Sequence, residues 1–351
     1  MATATIDEVR ALLARATGDE KHDESATSTL DALWVLYDRV LRIDPADASA
    51  EDRDRFLLSK GHGPAAMYAV LAAKGFFPAA WLDDFMAFGG RLGSHPDRVV
   101  NVGIMEQTMV GVAAGFAMEG FHPIAHSLSP FMAERPYEQL KLDIGYQGLG
   151  GTFVGTGGSY DYAAEGGTHH SPGDASLMLA IPRMQVFVPG HPGEVEPLLR
   201  ATYADGEPTY MRIGAAANAA SRAVAPGRVE VVRRGSDRLV VLVFGPMLDR
   251  ALPGAAELDA TVLYATTLRP FDGEALRRVV ADSARLVVVE PWYAGTATLV
   301  VAESLRGRPV ALFSIGVPRT FIHAYGTPQD LDRELHLDAA GVRKRLHALL
   351  A

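Results

Sequence analysis

The chain of 351 residues contains no cysteine. Disulfides, thiolate nucleophiles and cysteine-based metal sites are thereby excluded. No stretch approaches the roughly 18 uninterrupted apolar residues of a membrane span, so no membrane partner is expected. There is no HExxH pair, which leaves a zinc-hydrolase reading without ligands at the right spacing. Neither GxGxxG nor GxxxxGK[ST] occurs between a strand and a helix, so a nucleotide-binding fold has little support. Basic residues are outnumbered, 33 Lys and Arg against 42 Asp and Glu, giving a net charge of −9. An acidic balance of this kind argues against nucleic acid or an anionic membrane as partner. The opening MATATIDEVRALLARATG carries acids and no apolar core run, unlike a secretory signal, and the expectation is a soluble cytoplasmic protein.

What is present is apolar sequence in strand-sized and helix-sized pieces. Hydrophobic residues make up 48% of the chain, and the length allows two or three domains. Thr5 followed by Glu8 predicts a capping box at the start of an amphipathic helix. Leu30, Leu33, Trp34, Tyr37, Val40 and Leu41 recur at helical spacing, and AAMYAVLAAKG predicts a buried helix closed by Gly75. Strands are expected at RFLLSKGHG, GTFVGTG, MQVFVPG, RLVVLVFG, ATVLYAT, ARLVVVE and VALFSIG, with helices after most of them. Continuous apolar strands belong to parallel sheets with helices on both faces, which is an α/β architecture. Gly214 to Arg228 is rich in small residues and aperiodic, and is the best linker candidate.

Within VVNVGIMEQTMVGVAAGFAMEG, Val99, Val100, Val102 and Ile104 predict a buried strand, and Val110 to Met118 a buried helix. Glu106 lies between them, next to Gln107. An acid at a helix N-terminus can simply answer free amides and the macrodipole. Burial without a partner would instead raise its pKa and suit it to proton transfer. GGTHHSPGD places His169 and His170 after two glycines, as an active-site loop would, although paired loop histidines are also common on surfaces. SKGHGP places His62 between glycines at a strand end, where open parallel sheets bind ligands.

Together these pieces resemble transketolases. FLLSKGHGPAAMYAVLAAKGFFP is similar to the N-terminal, diphosphate-binding domain of that family. NVGIMEQTMVGVAAGFAMEG, HSLSPFMAERPYEQLKLDI and GGTHHSPGDASLM are similar to its pyrimidine-binding domain. LVVLVFG, TLRPFDGEAL, VVVEPWYAG and IGVPRTF are similar to its C-terminal domain. The resemblance implies a transketolase-like α/β fold of parallel and mixed sheets covered by helices. Its expected parts are a truncated diphosphate-binding domain at 1–97, a pyrimidine-binding domain at 98–214, a linker at 215–228 and a C-terminal domain at 229–351. It implies thiamine diphosphate as cofactor and transfer of a ketol or acyl unit between small carbonyl compounds. Glu106 matches the glutamate that hydrogen-bonds a ring nitrogen of the aminopyrimidine and so promotes loss of the thiazolium C2 proton. Phe131 matches the aromatic that stacks on the pyrimidine, with Leu128 where a second aromatic often stands. Ile104, Lys60 and His62 are expected at the cofactor, and His62, His169 and His22 in proton handling. His22, His169, His170 and Arg212 are expected at the substrate. Family sites form between two subunits, which implies a homodimer.

The chain departs from the family in one stretch. RLGSHPDR runs straight into VVNVGI, and the G-D-G with a later Asn that holds Mg²⁺ is absent. A buried diphosphate would then need basic side chains, amides or helix N-termini, and the use of Mg²⁺ stays open. Lys60, His62, Arg91, His95 and Arg98 are nearest in sequence, with a solvated role as the alternative for the arginines. The family's phosphate-clamping loop histidine falls at Gly157, which points away from ordinary pentose phosphates. Two other readings remain: a subunit whose partner chain completes the diphosphate site, and a non-catalytic relic.

Overall fold

A computed structural model describes residues 4–17, 29–58, 64–85 and 102–350. His22, Lys60, His62, Arg91, His95 and Arg98 lie outside the described residues. The chain falls into two units, Met1–Ser127 and Leu128–Ala351.

In the first unit, helix α1 (Ile6–Thr17) opens as its sequence predicts. The Thr5 amide donates to Glu8 Oε2 at 2.6 Å, and the Glu8 amide donates back to Thr5 Oγ1 at 3.3 Å. The helical repeat from Leu30 becomes α2 (Leu30–Val35) and then a π-helical turn, Leu36–Val40. Helix α3 (Pro64–Ala73) ends where Gly75 adopts φ +85°, a left-handed conformation that costs glycine little. Val9, Leu13, Leu33, Ala66, Ala69 and Val70 form the buried seam. Strand β1 (Phe56–Leu58) pairs in parallel with β2 (Ile124–Leu128), Phe56 opposite Ile124. The sequence assigns these two strands to different domains, and the pairing joins them.

Of the buried strand expected at Val99, Val100, Val102 and Ile104, Val99 and Val100 lie outside the described residues, and the part from Val102 to Ile104 does not form. Residues 102–105 are irregular, Gly103 has φ +80°, and Ile104 is 82% exposed. A left-handed residue cannot continue an extended run, so the alternation of apolar side chains is broken there. Helix α4 (Glu106–Met118) follows, buried at Met109, Val110, Ala113 and Ala114 but exposed at Val112 and Met118. It is thus buried on one face only.

In the second unit, β3 (Gly151–Thr156) pairs in parallel with β5 (Pro208–Ile213), which pairs in parallel with β4 (Gln185–Phe187). Strand β9 (Thr267–Arg269) adds antiparallel to β4. A second sheet runs β11-β10-β7-β8-β6, built from β6 (Val229–Arg233), β7 (Ser236–Phe244), β8 (Ala260–Ala265), β10 (Arg285–Tyr293) and β11 (Ala311–Val317). All its pairings are parallel except β6 with β8. The runs Val240–Phe244 and Leu286–Val289 are wholly buried, as strands covered on both faces must be. Glu290 ends the second run as a buried carboxylate with a full set of donors: the amides of Gly295 (2.6 Å) and Ala297 (2.9 Å), Ser314 Oγ and Trp292 Nε1.

The segment 214–228 is irregular but tied at several points. The Ala215 amide donates to Asp161 Oδ2 (2.8 Å), the Asn218 amide to Gly190 O (2.7 Å), the Ala219 amide to Asp249 Oδ2 (2.6 Å) and the Arg222 amide to Glu194 Oε1 (3.0 Å). Its backbone groups are therefore satisfied by the second unit rather than by its own secondary structure.

Burial raises the Asp161 carboxyl to about 6, against the opposing pull of the Ala215 amide and Arg212. A carboxyl raised in the fold holds its proton more tightly there than in the unfolded chain. Stability from this group is therefore complete below about pH 4, declines between about pH 4 and 6, and is flat above. The loss is about 3 kcal/mol at most. Asp161→Asn should remove that slope, so that its urea midpoint rises relative to wild type as pH increases from 4 to 6. Parallel midpoints across that range would show that Asp161 does not titrate as the structure requires.

Candidate functional site

Glu106 is the first residue of α4, and the preceding Met105 supplies no side-chain cap. The carboxylate is only 4% exposed, so it lies at the positive end of the helix and away from bulk water. Ile104, two residues earlier, is turned outward.

In the second unit, the turn after β2 starts helix α5 (Ser129–Ala133), with Pro130 in its first turn. Leu128 is buried at the end of the strand, and Phe131 is half-buried on the helix. The Arg135 guanidinium lies 3.8 Å from the Phe131 ring centre. His169 meets Phe131 edge-on, with ring centres 5.2 Å apart at 68°. Thr168 Oγ1 contacts His169 Nδ1 at 2.9 Å, which fixes the imidazole's orientation. His170 is 7% exposed, and neither ring nitrogen has a hydrogen-bond partner among the described residues. Burial, helped by the adjacent His169, holds its pKa below the ordinary imidazole value. It is a neutral imidazole with unmet hydrogen-bonding capacity, which a ligand can satisfy.

The loop carrying these histidines is anchored at both ends by one buried network. Helix α6 (Tyr137–Gln139) is a single turn, and Asp174 opens the next α-helix, α7 (Asp174–Ala180). Arg212 Nε donates to Asp174 Oδ2 at 2.7 Å, and its Nη2 donates to Ser159 Oγ at 2.6 Å. Tyr210 Oη donates to the same Asp174 oxygen at 3.0 Å. Arg212 and Asp174 are 3% and 0% exposed. Ser159 has φ +59°, an uncommon conformation outside glycine, and its hydroxyl donates to Pro291 O. The Ser171 amide returns to Ser159 O at 2.7 Å, and Ser171 Oγ donates to Glu134 Oε1 at 2.9 Å. Burial pushes the Glu134 carboxyl above its usual range.

The structure thus brings Phe131, His169, His170 and Arg212 into one unit, with Arg212 engaged by Asp174 and Ser159. Ile104 and Glu106 belong to the other unit, and His22, Lys60 and His62 lie outside the described residues. Asp174, Ser159, Tyr210 and Glu134 carry the network but were not singled out in the sequence. One signal was legible: an arginine inside the apolar strand YMRI demands a buried acid.

Comparison with known proteins gives a consistent result. The family described as transketolase, pyrimidine binding domain, matches residues 68–217, and transketolase, thiamine diphosphate binding domain, matches residues 1–127. An uncharacterized 33.6 kDa protein in the fasciation locus of Rhodococcoides fascians is 40% identical over 258 residues, 73% of this chain and 82% of that protein. The 1-deoxy-D-xylulose-5-phosphate synthase of Shewanella baltica is 34% identical over 268 residues, 73% of this chain but 42% of the synthase. The chain therefore spans less than half the length of that synthase. A split gene transketolase, solved as an inactive β4 tetramer, superimposes with a TM-score of 0.61 at 28% identity, covering 73% of this chain and 85% of that one. Transketolase from Campylobacter jejuni shares the fold with a TM-score of 0.59 at 16% identity, over 71% of this chain and 39% of its own.

Arg212→Ala would leave the Asp174 charge buried and unpaired, which costs about 3–5 kcal/mol. Tyr210→Phe removes one hydrogen bond to the same oxygen and should cost about 1 kcal/mol. Urea unfolding of the two variants measures this; an Arg212→Ala protein as stable as wild type would mean that the pair is open in solution.

Proposed function

Because the chain belongs to the thiamine-diphosphate-dependent transketolase family, we propose that it is a compact carboligase or lyase. It makes or breaks a C–C bond next to a carbonyl, moving a ketol or acyl unit from a small ketol or 2-oxo acid to an aldehyde. The observation that carries this reading is Glu106: a 4% exposed carboxylate at the first turn of α4, inside the G-I-x-E-Q pattern.

Each unit carries a residue whose chemistry suits the pyrimidine end of the cofactor. Glu106 is a buried carboxyl able to share a proton with a ring nitrogen, and Phe131 keeps part of its ring surface open. Thiamine diphosphate, when bound, supplies a nucleophilic carbon and a sink for the electron pair of the broken bond. Glu106 holds the proton at the aminopyrimidine, and Phe131 packs on that ring. The family resemblance assigns Leu128, Ile104, Lys60 and His62 to the same cofactor. His169, oriented through Thr168, and neutral His170 hold substrate oxygens; His22, outside the described residues, is assigned to the substrate by the family resemblance alone. Arg212 positions the histidine loop through Asp174 and Ser159. Magnesium is a different matter: among the described residues no group of three or more His, Asp or Glu is placed to hold a metal ion. No step is therefore assigned to a metal.

The protein acts as a homodimer with shared sites in this reading. Among the described residues no helix is long and apolar enough to cross a membrane; a cytoplasmic enzyme is part of this reading. A second reading, a subunit completed by a partner chain, is favoured by the likeness to a split gene transketolase whose β4 tetramer is inactive.

Calorimetric titration of thiamine diphosphate, with Mg²⁺ and again with EDTA, separates these readings. The expected result is binding by the purified chain. Glu106→Gln should change that affinity by less than about tenfold yet lower turnover of hydroxypyruvate with glycolaldehyde at least about 100-fold. No binding in either buffer would remove the stand-alone enzyme and require a partner chain. Binding without turnover of any ketol or 2-oxo acid would leave a non-catalytic relic.

A further inference from the structure

The loop from Gly157 to Gly173 has a feature that neither the fold nor the proton chemistry requires. Gly157 has φ +69°, and a Cβ placed on it would lie 2.0 Å from the Tyr162 ring. A side chain at residue 157 would require that ring to move from its place. The space that a longer residue would use is filled by Tyr162 instead. The Tyr162 ring stands edge-on to His169, centres 6.3 Å apart at 65°, and His169 in turn stands edge-on to Phe131 at 5.2 Å. Three rings thus form a row with His169 at its centre, and all three are partly exposed.

The loop that carries two of these rings offers an anion no permanently charged basic side chain. Residues 157–173 include Asp161 and Glu165 and no lysine or arginine. Arg212, whose guanidinium would collide with any Cβ on Gly158, is engaged by Asp174 and Ser159. Arg135 lies over Phe131, at the other end of the row from Tyr162. A phosphorylated tail passing His169 on the Tyr162 side would meet an aromatic face and the exposed Glu165, whose charge also acts on His170. An uncharged aromatic or apolar tail would meet a surface that favours edge-to-face ring contact.

We propose that Tyr162 is the specificity-determining wall of the acceptor site, and that it selects an uncharged aromatic or apolar aldehyde over a phosphorylated one. This rests on the carboligase reading for the word acceptor, but the ring row can be tested as a binding site without turnover. Saturation-transfer NMR on the full chain, in the presence of thiamine diphosphate, would use benzyl alcohol as the uncharged probe and 2-phosphoglycolate as the anionic one. Wild type should bind benzyl alcohol in preference to 2-phosphoglycolate. Tyr162→Phe should keep that affinity, while Tyr162→Ala should weaken it about tenfold, the order expected for a lost ring–ring contact. Tyr162→Leu, which keeps an apolar side chain in the loop, serves as the second variant, with a smaller expected loss. Circular dichroism of each variant reports folding.

Benzyl alcohol binding that is absent from wild type, or equal in wild type and Tyr162→Ala, overturns the proposal. So does a preference for 2-phosphoglycolate. Turnover of benzaldehyde with hydroxypyruvate is measured on the same samples. Tyr162-dependent binding without turnover keeps the wall and removes the carboligase. Turnover that does not depend on Tyr162 keeps the enzyme and removes the wall.

Discussion

The ion pair between Arg212 and Asp174 is the constraint that the second unit is arranged around. Two opposite charges out of water are tolerated only when each remaining donor and acceptor is answered. Here the answers come from Tyr210, Ser159 and the Ala175 amide, so the pair cannot be separated from the backbone that surrounds it. One end of the pair sits on β5 and the other opens α7. Between Ser159 and Asp174 runs the loop that presents Tyr162, His169 and His170. The loop is therefore an irregular segment with fixed ends, which is how a side chain on a loop acquires a defined direction.

The same loop reaches into the core of the C-terminal sheet. Tyr160 and Ala163 are buried with Val241, Val243 and Val289, and Tyr160 Oη donates to Asp332 Oδ1 at 2.8 Å. Arg250 donates to the same Asp332 oxygen at 2.6 Å. The C-terminal part of the chain thus does more than add mass: it holds the base of the histidine loop, and through β9 it supplies an edge strand to β4. Its buried Glu290 fastens the turn that follows β10 through the amides of Gly295 and Ala297, and Pro291, next to it on the strand, accepts the Ser159 hydroxyl at its carbonyl. A change in this domain would be felt at Ser159 and Ser171, near the two ends of the histidine loop.

In the first unit the strand β1 needs a neighbour for its backbone groups. A strand without neighbours exposes unpaired backbone groups. β1 avoids this on one side by pairing in parallel with β2. Helix α4, with Val112 and Met118 exposed beyond the outward-facing Ile104 and Met105, keeps an apolar face toward solvent. In the homodimer reading, that is a face for a second chain to cover.

The amino-acid sequence by itself determined the α/β class, most of the long strands, the capping pair at Thr5 and Glu8, the helix stop at Gly75 and the family through its motifs. These are local or periodic properties, and apolar runs of strand length or glycines at helix ends speak for themselves. It also singled out Glu106, Phe131, His169, His170 and Arg212, because acids, tandem histidines and arginine stand out against apolar surroundings. The tertiary structure decided what those residues touch. Val102 and Ile104 alternate as a strand would, yet Gly103 turns left-handed there and Ile104 faces outward. Arg212 reads as a substrate contact until Asp174, 38 residues earlier, is found against it. Tyr162 is one aromatic among many until its ring is seen in the space above Gly157. Partners distant in sequence leave no periodicity, and only the folded chain brings them within reach of a hydrogen bond or a ring contact.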